Sequence, residues 1–131
     1  MTNPVPGFSQ GIYTVATYDG KSLAEAIAAE APKAHVIKAF NLCPTKLWAS
    51  PAPIMMDGRQ HTTPFCGGNA AARKKAASLI EEVGSEPVDL GDIEFARQLE
   101  AMGSLIVKLV AEGHDHMTCF QLIQPEVKPI A

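Results

Sequence analysis

Three short apolar runs, residues 35–40, 63–66 and 86–90, alternate with two longer stretches whose apolar residues recur at helical spacing. All three read as short strands, residues 35–40 as a buried one, and helices usually cover such strands. In the first helical stretch the apolar positions are Ala72, Ala76, Leu79, Ile80 and Val83. In the second they are Ile93, Ala96, Leu99, Met102, Ile106, Leu109 and Val110, a single stripe. Strands alternating with helices constrain the chain to the α/β class.

The punctuation agrees with this division. Ser22 followed three residues on by Glu25 fits a capping box, so a helix is predicted over 23–31, stopping before Pro32. Gly67-Gly68-Asn69 opens the next helix and Gly84 closes it. Asp92 is the expected N-cap of the longest helix, which runs to Gly113. Residues 1–20 are rich in turn formers, with a short strand expected over 12–18. Pro44, Pro51, Pro53 and Asp57-Gly58 make residues 44–62 an irregular connection, with one helical turn expected near Leu47-Trp48. Residues 114–131, which include Pro125 and Pro129, read as a mostly irregular tail.

At 131 residues the chain has the length of one domain, and no repeat or linker divides it. An apolar content of 47% with 19% charged residues describes a globular chain. No apolar run nears the roughly 20 residues that cross a bilayer, and no basic-then-apolar leader opens the chain, so no membrane partner and a cytoplasmic location are expected. A net charge of −3 lacks the basic footprint of a nucleic-acid binder. Cys43, Cys66 and Cys119 are widely spaced and odd in number, which is neither a disulfide framework nor a CxxC site.

Several residues could carry chemistry, each beside a plainer reading. Gly67-Gly68-Asn69 ahead of Arg73, Lys74 and Lys75 has the form of a phosphate cradle, although the basic residues also suit a solvated helix face. His61, His114, His116 and Cys119 are metal-ligand types, but their spacing matches no zinc motif, and no metal is assigned. Cys66 stands before a helix start, where a dipole could activate it; buried filler is the simpler reading. Arg97 and Glu100, three apart, read as an exposed helix pair. Asn3-Pro4 by itself is a turn dipeptide, Ala39-Phe40 strand core and Asn41 a cap. No acid–base pair or nucleophilic triad stands out, so no catalytic residue is assigned.

Taken in order, three segments resemble the deazaflavin-dependent (coenzyme F-420) NADP oxidoreductases and the similar reductase domain of the STEAP metalloreductases. They are Thr2-Asn3-Pro4; Val36-Ile37-Lys38-Ala39-Phe40-Asn41; and a third set. That set runs from Phe65-Cys66-Gly67-Gly68-Asn69 through Glu86-Pro87-Val88-Asp89-Leu90-Gly91 to Ala96-Arg97-Gln98-Leu99-Glu100. Order and spacing agree over about residues 2–112. The resemblance implies a Rossmann-like fold and an NADP-dependent oxidoreductase whose redox partner is a deazaflavin or flavin. It also implies that Asn3 and Pro4 lie near the nicotinamide ribose, while Ala39, Phe40 and Asn41 line the ring and its partner. Hydride transfer asks little of side chains, because the cofactor carries the chemistry.

None of the ten glycines forms G-x-G-x-x-G, the turn that seats a pyrophosphate. The chain therefore reads as the C-terminal, substrate-facing part of such a fold, not expected to be active alone. A homo-oligomer, or a partner chain carrying the nucleotide-binding half, is expected. The alternatives from the same residues are a non-catalytic binding or dimerisation module and an incomplete reading frame.

Overall fold

The computed structural model describes residues 3–4, 7–9, 12–14 and 16–123; Thr2, Pro125 and Pro129 lie outside them. In chain order the elements are β1 (Gly7–Ser9), β2 (Ile12–Thr14), α1 (Leu23–Glu30), β3 (Ile37–Lys38), β4 (Met55–Met56) and β5 (Arg59–Gln60). They are followed by β6 (Thr62–Gly67), α2 (Ala70–Glu82), β7 (Glu86–Asp89) and α3 (Ala96–Ala111), with 3-10 turns at Thr45–Ala49 and Ile93–Phe95. The main sheet has the order β3-β6-β7. β6 and β7 are parallel, from Thr62 opposite Glu86 to Phe65 opposite Asp89, and α2 is the crossover that parallel pairing requires. β3 runs antiparallel to β6, with Ile37 opposite Gly67 and Lys38 opposite Cys66.

Alternation along β6 assigns the two faces. Cys66 clusters with Ala24 of α1, Leu42, and Ala96 and Leu99 of α3. Its odd-numbered neighbours turn to the opposite face, where Phe65 is 1% exposed and where α2 buries Ile80 at 0%. β3 lies close against the end of β6 because residue 67 is glycine: a Cβ there would run into Ile37 Cδ1 and stand 2.9 Å from the Val36 carbonyl oxygen. The capping box forms as the spacing predicts, with the Glu25 carboxylate accepting from Ser22 N at 2.7 Å and Ser22 Oγ accepting from Glu25 N at 3.1 Å. Asn69 Oδ1 accepts from Ala72 N at 2.9 Å and caps α2.

Four expectations are corrected. The strand expected over 35–40 pairs only at Ile37–Lys38, because Phe40 adopts a φ of 63° and turns the chain away. Continued pairing would also have set Phe40 opposite Pro64, which has no amide hydrogen to give. The strand expected over 12–18 is shorter and joins no edge of the main sheet; Ile12–Thr14 pairs with Gly7–Ser9 in a separate two-stranded sheet. Asp92 makes no side-chain cap, since a 3-10 turn over Ile93–Phe95 stands between it and α3. Residues 44–62 are less irregular than expected, for β4 and β5 form a small hairpin beyond the helical turn at Thr45–Ala49.

Candidate functional site

A buried charged cluster joins the start of α1, the middle of α3 and β3. The Glu100 carboxylate, on α3 and 3% exposed, accepts from Leu23 N at 2.9 Å and Ala24 N at 3.1 Å. It thus caps the N-terminus of a helix distant in sequence, where amides and the helix dipole both favour an anion. Lys38 Nζ lies 3.4 Å from Glu100 Oε1 and donates to Asn3 Oδ1 at 2.8 Å. Burial draws the Lys38 ammonium below the ordinary lysine range, and the Glu100 carboxylate opposes that shift. One turn before Glu100, Arg97 donates to both oxygens of Glu25, at 2.6 and 2.8 Å. The Arg97 hydrogen bond, with those from Ser22, outweighs burial and brings the Glu25 carboxyl down to about 2.

The Arg97–Glu100 pair expected from the sequence does not form; each residue serves α1 instead, Arg97 through Glu25 and Glu100 through the helix amides. A signal for this was present. Ala96, Glu100 and Ser104 lie at successive four-residue intervals, and that row is the buried face of α3. Lys38, in the middle of an apolar run, was the matching signal on β3.

The five residues that the resemblance assigns to a cofactor fall into separate places. Asn3 is exposed and tied to Lys38, and Pro4 beside it is buried. Asn41 donates from Nδ2 to the Leu99 carbonyl at 2.7 Å, and its buried Oδ1 has no hydrogen-bond partner among the described residues. Gly103 permits this approach, since a Cβ there would sit 3.1 Å from Asn41 Nδ2. Asn3, through Lys38 and Glu100, and Asn41, through Leu99, are each tied to α3. Phe40 turns aside and meets Trp48 edge to face, with ring centroids 5.1 Å apart. Ala39 faces α2 and lines an open groove there with Ile37, Ala72 and Ala76. Next to the Asn41 turn, Leu42, Leu99 and Met102 line an apolar cleft of about 350 Å³ together with Val88, Leu90 and Phe120.

The remaining candidates take the plainer roles. Arg73 is held by Asp89 at 3.0 Å and by the Gly67 carbonyl at 2.8 Å, which removes it from a phosphate cradle at the α2 start. His61 is 1% exposed and its Nδ1 lies 2.8 Å from Ser85 Oγ, which in turn meets Thr63 Oγ1 at 2.7 Å. Burial lowers the His61 pKa. Among the described residues no group of three His, Cys, Asp or Glu side chains is placed to hold a metal. Cys66 is fully buried, and burial pushes its thiol up to about 11, so it is inert filler and not an activated nucleophile. No described helix is long and apolar enough to cross a membrane.

No protein-family model matches the chain. No curated protein matches it. Among solved structures it is similar to one described as a "putative f420 dependent nadp-reductase" from Arthrobacter sp. FB24, with a TM-score of 0.76 and 28% sequence identity. The likeness covers 93% of this chain and 55% of that one, so the chain spans about half the length of the reductase it resembles. The α/β architecture is thus that of a Rossmann-like reductase, and the likeness supports the resemblance read from the ordered motifs.

Proposed function

We propose that the chain is the nicotinamide-facing module of an NADP-dependent oxidoreductase that exchanges hydride with a deazaflavin- or flavin-like ring. The observation that carries this reading is the likeness to a reductase over 93% of the chain. The residues tied to α3 fit a nicotinamide. The unpartnered Asn41 Oδ1 is an acceptor suited to a carboxamide N–H, and Asn3 offers donors to nucleotide oxygens. Leu42, Leu99 and Met102 provide an apolar wall beside Asn41. When bound, the nicotinamide supplies the hydride chemistry; the chain's part is to hold, orient and exclude water. With no G-x-G-x-x-G in the sequence, the reading assigns this chain to the C-terminal part of the fold. It assigns the pyrophosphate turn to a dinucleotide-binding half supplied by other polypeptide, and it places the protein in the cytoplasm.

Two measurements test the proposal. Titration of NADPH by calorimetry is expected to give no low-micromolar binding to the isolated chain, because the amides that usually meet the pyrophosphate are missing. Low-micromolar affinity would return the Gly67-Gly68-Asn69 turn to candidacy as a phosphate site. NADP+ added to millimolar concentration is expected to move the backbone NMR resonances of Ala39, Phe40 and Asn41, and an unmoved set would overturn the reading.

A second reading, a non-catalytic dimerisation module derived from such an enzyme, is favoured by one observation. The later half of α3 leaves Leu105 at 49% and Val107 at 47% exposed.

A further inference from the structure

We propose that Lys38 is the positioning residue for Asn3, and that it fixes the Asn3 amide so that the donor nitrogen is turned toward the bound nucleotide. The inference rests on the reductase reading above and extends it to a residue outside the set which that reading assigns. An asparagine amide presents an acceptor oxygen and a donor nitrogen of nearly equal shape, and an exposed one turns freely between the two. Lys38 removes the freedom. Its ammonium has donors and no acceptor, so the Asn3 atom that it meets at 2.8 Å must be the carbonyl oxygen. The ammonium cannot drift, because Lys38 is 5% exposed and its Nζ is held 3.4 Å from a Glu100 carboxylate itself fixed by two amides of α1. With Oδ1 engaged, the two Nδ2 hydrogens are the groups Asn3 presents outward, and they make no hydrogen bond among the described residues. They suit an acceptor oxygen of a nicotinamide nucleotide, a hydroxyl or a carbonyl. They do not suit a ligand group that can only donate.

The charged cluster thus does two things. It docks α1 on α3, and it sets the polarity of one surface amide in a preorganised position.

The test uses the full chain, labelled with nitrogen-15, and two substitutions. In the unaltered chain the two Asn3 side-chain N–H resonances should stand away from free-amide positions and should shift as NADP+ is added. In Lys38→Met they should collapse toward the position of a free amide and cease to respond. Asn3→Asp keeps the acceptor for Lys38 while removing both donors, and this exposed change should leave the unfolding midpoint in place. It should weaken binding about tenfold or more. The loss should also appear with nicotinamide riboside, a phosphate-free cation that the added carboxylate would attract, which separates a missing donor from charge repulsion. If Lys38→Met fails to fold, the Asn3→Asp measurement decides alone. Asn3 resonances indifferent to Lys38→Met, or undiminished binding by Asn3→Asp, overturn the positioning role. In that event the Ala39–Asn41 backbone resonances still report separately whether the nicotinamide reading stands.

Discussion

Single side chains in this protein act mostly by satisfying buried polar groups. Asn69 gives its carbonyl to Ala72 N at the head of α2. Asn69→Ala should cost about 1 kcal/mol, as loss of an N-cap commonly does, read from the denaturant midpoint. His61 is buried neutral beside Ser85, and burial lowers its pKa below the ordinary 6.5. The unfolded chain takes up that proton near pH 6.5 while the folded chain resists it, so stability falls as the pH drops below that value. The slope contributed by this one group can approach about 1.4 kcal/mol per pH unit, and urea midpoints between pH 7 and 5 measure it. A His61→Gln variant should flatten that dependence. At Gly67 the missing side chain matters: Gly67→Ala drives a Cβ into Ile37 and the Val36 carbonyl, and should cost about 1–3 kcal/mol by thermal unfolding.

Between elements, the contact that most determines the arrangement is electrostatic. Ala24 is the one apolar residue of α1 that is fully buried, yet the helix is anchored in its first turn both by Glu100 and by the Glu25–Arg97 pair. Glu100→Ala would leave the Lys38 ammonium buried without its carboxylate and the α1 amides uncapped. Breaking such a pair costs about 3–5 kcal/mol, and hydrogen exchange of α1 amides should rise more than that of α2. The Glu25 carboxyl adds a second pH dependence. Its pKa falls from 4.5 to about 2 on folding, so its contribution is fully present above about pH 4.5 and fades as the pH falls toward 2. Arg97→Gln should weaken that acid-range dependence, the part held by Ser22 remaining, while leaving the His61 dependence near neutrality.

For the whole molecule, what matters is what the sheet and α3 leave uncovered. β3 and β7 are the edges of the three-stranded sheet, and Leu79, Leu105, Val107 and Leu122 are about half exposed. Open edges and exposed apolar side chains both invite association. The main-sheet edge is not covered by the Ile12–Thr14 strand, which pairs elsewhere. Sedimentation equilibrium at micromolar concentration should therefore show self-association, most simply a two-fold dimer. A single species near 13.9 kDa at all concentrations would refute it.

The class, the alternation of the main-sheet strands with α1, α2 and α3, and both working caps were legible in the sequence, because each depends on neighbours within a few residues. Ser22 and Glu25 are one turn apart, Asn69 and Ala72 likewise, and the apolar periods of α2 and α3 repeat every turn. The candidate site was legible only in part. The ordered motifs singled out Asn3 and Asn41, but their ties to α3 link positions far apart in the chain. Glu100 capping α1 across 77 residues, and Lys38 buried between Glu100 and Asn3, were decided by tertiary structure alone. Spacing on one helix could offer Arg97 only Glu100 as a partner. Folding brought Glu25 close enough to take its place, since contact depends on distance in space and periodicity reports only distance along the chain.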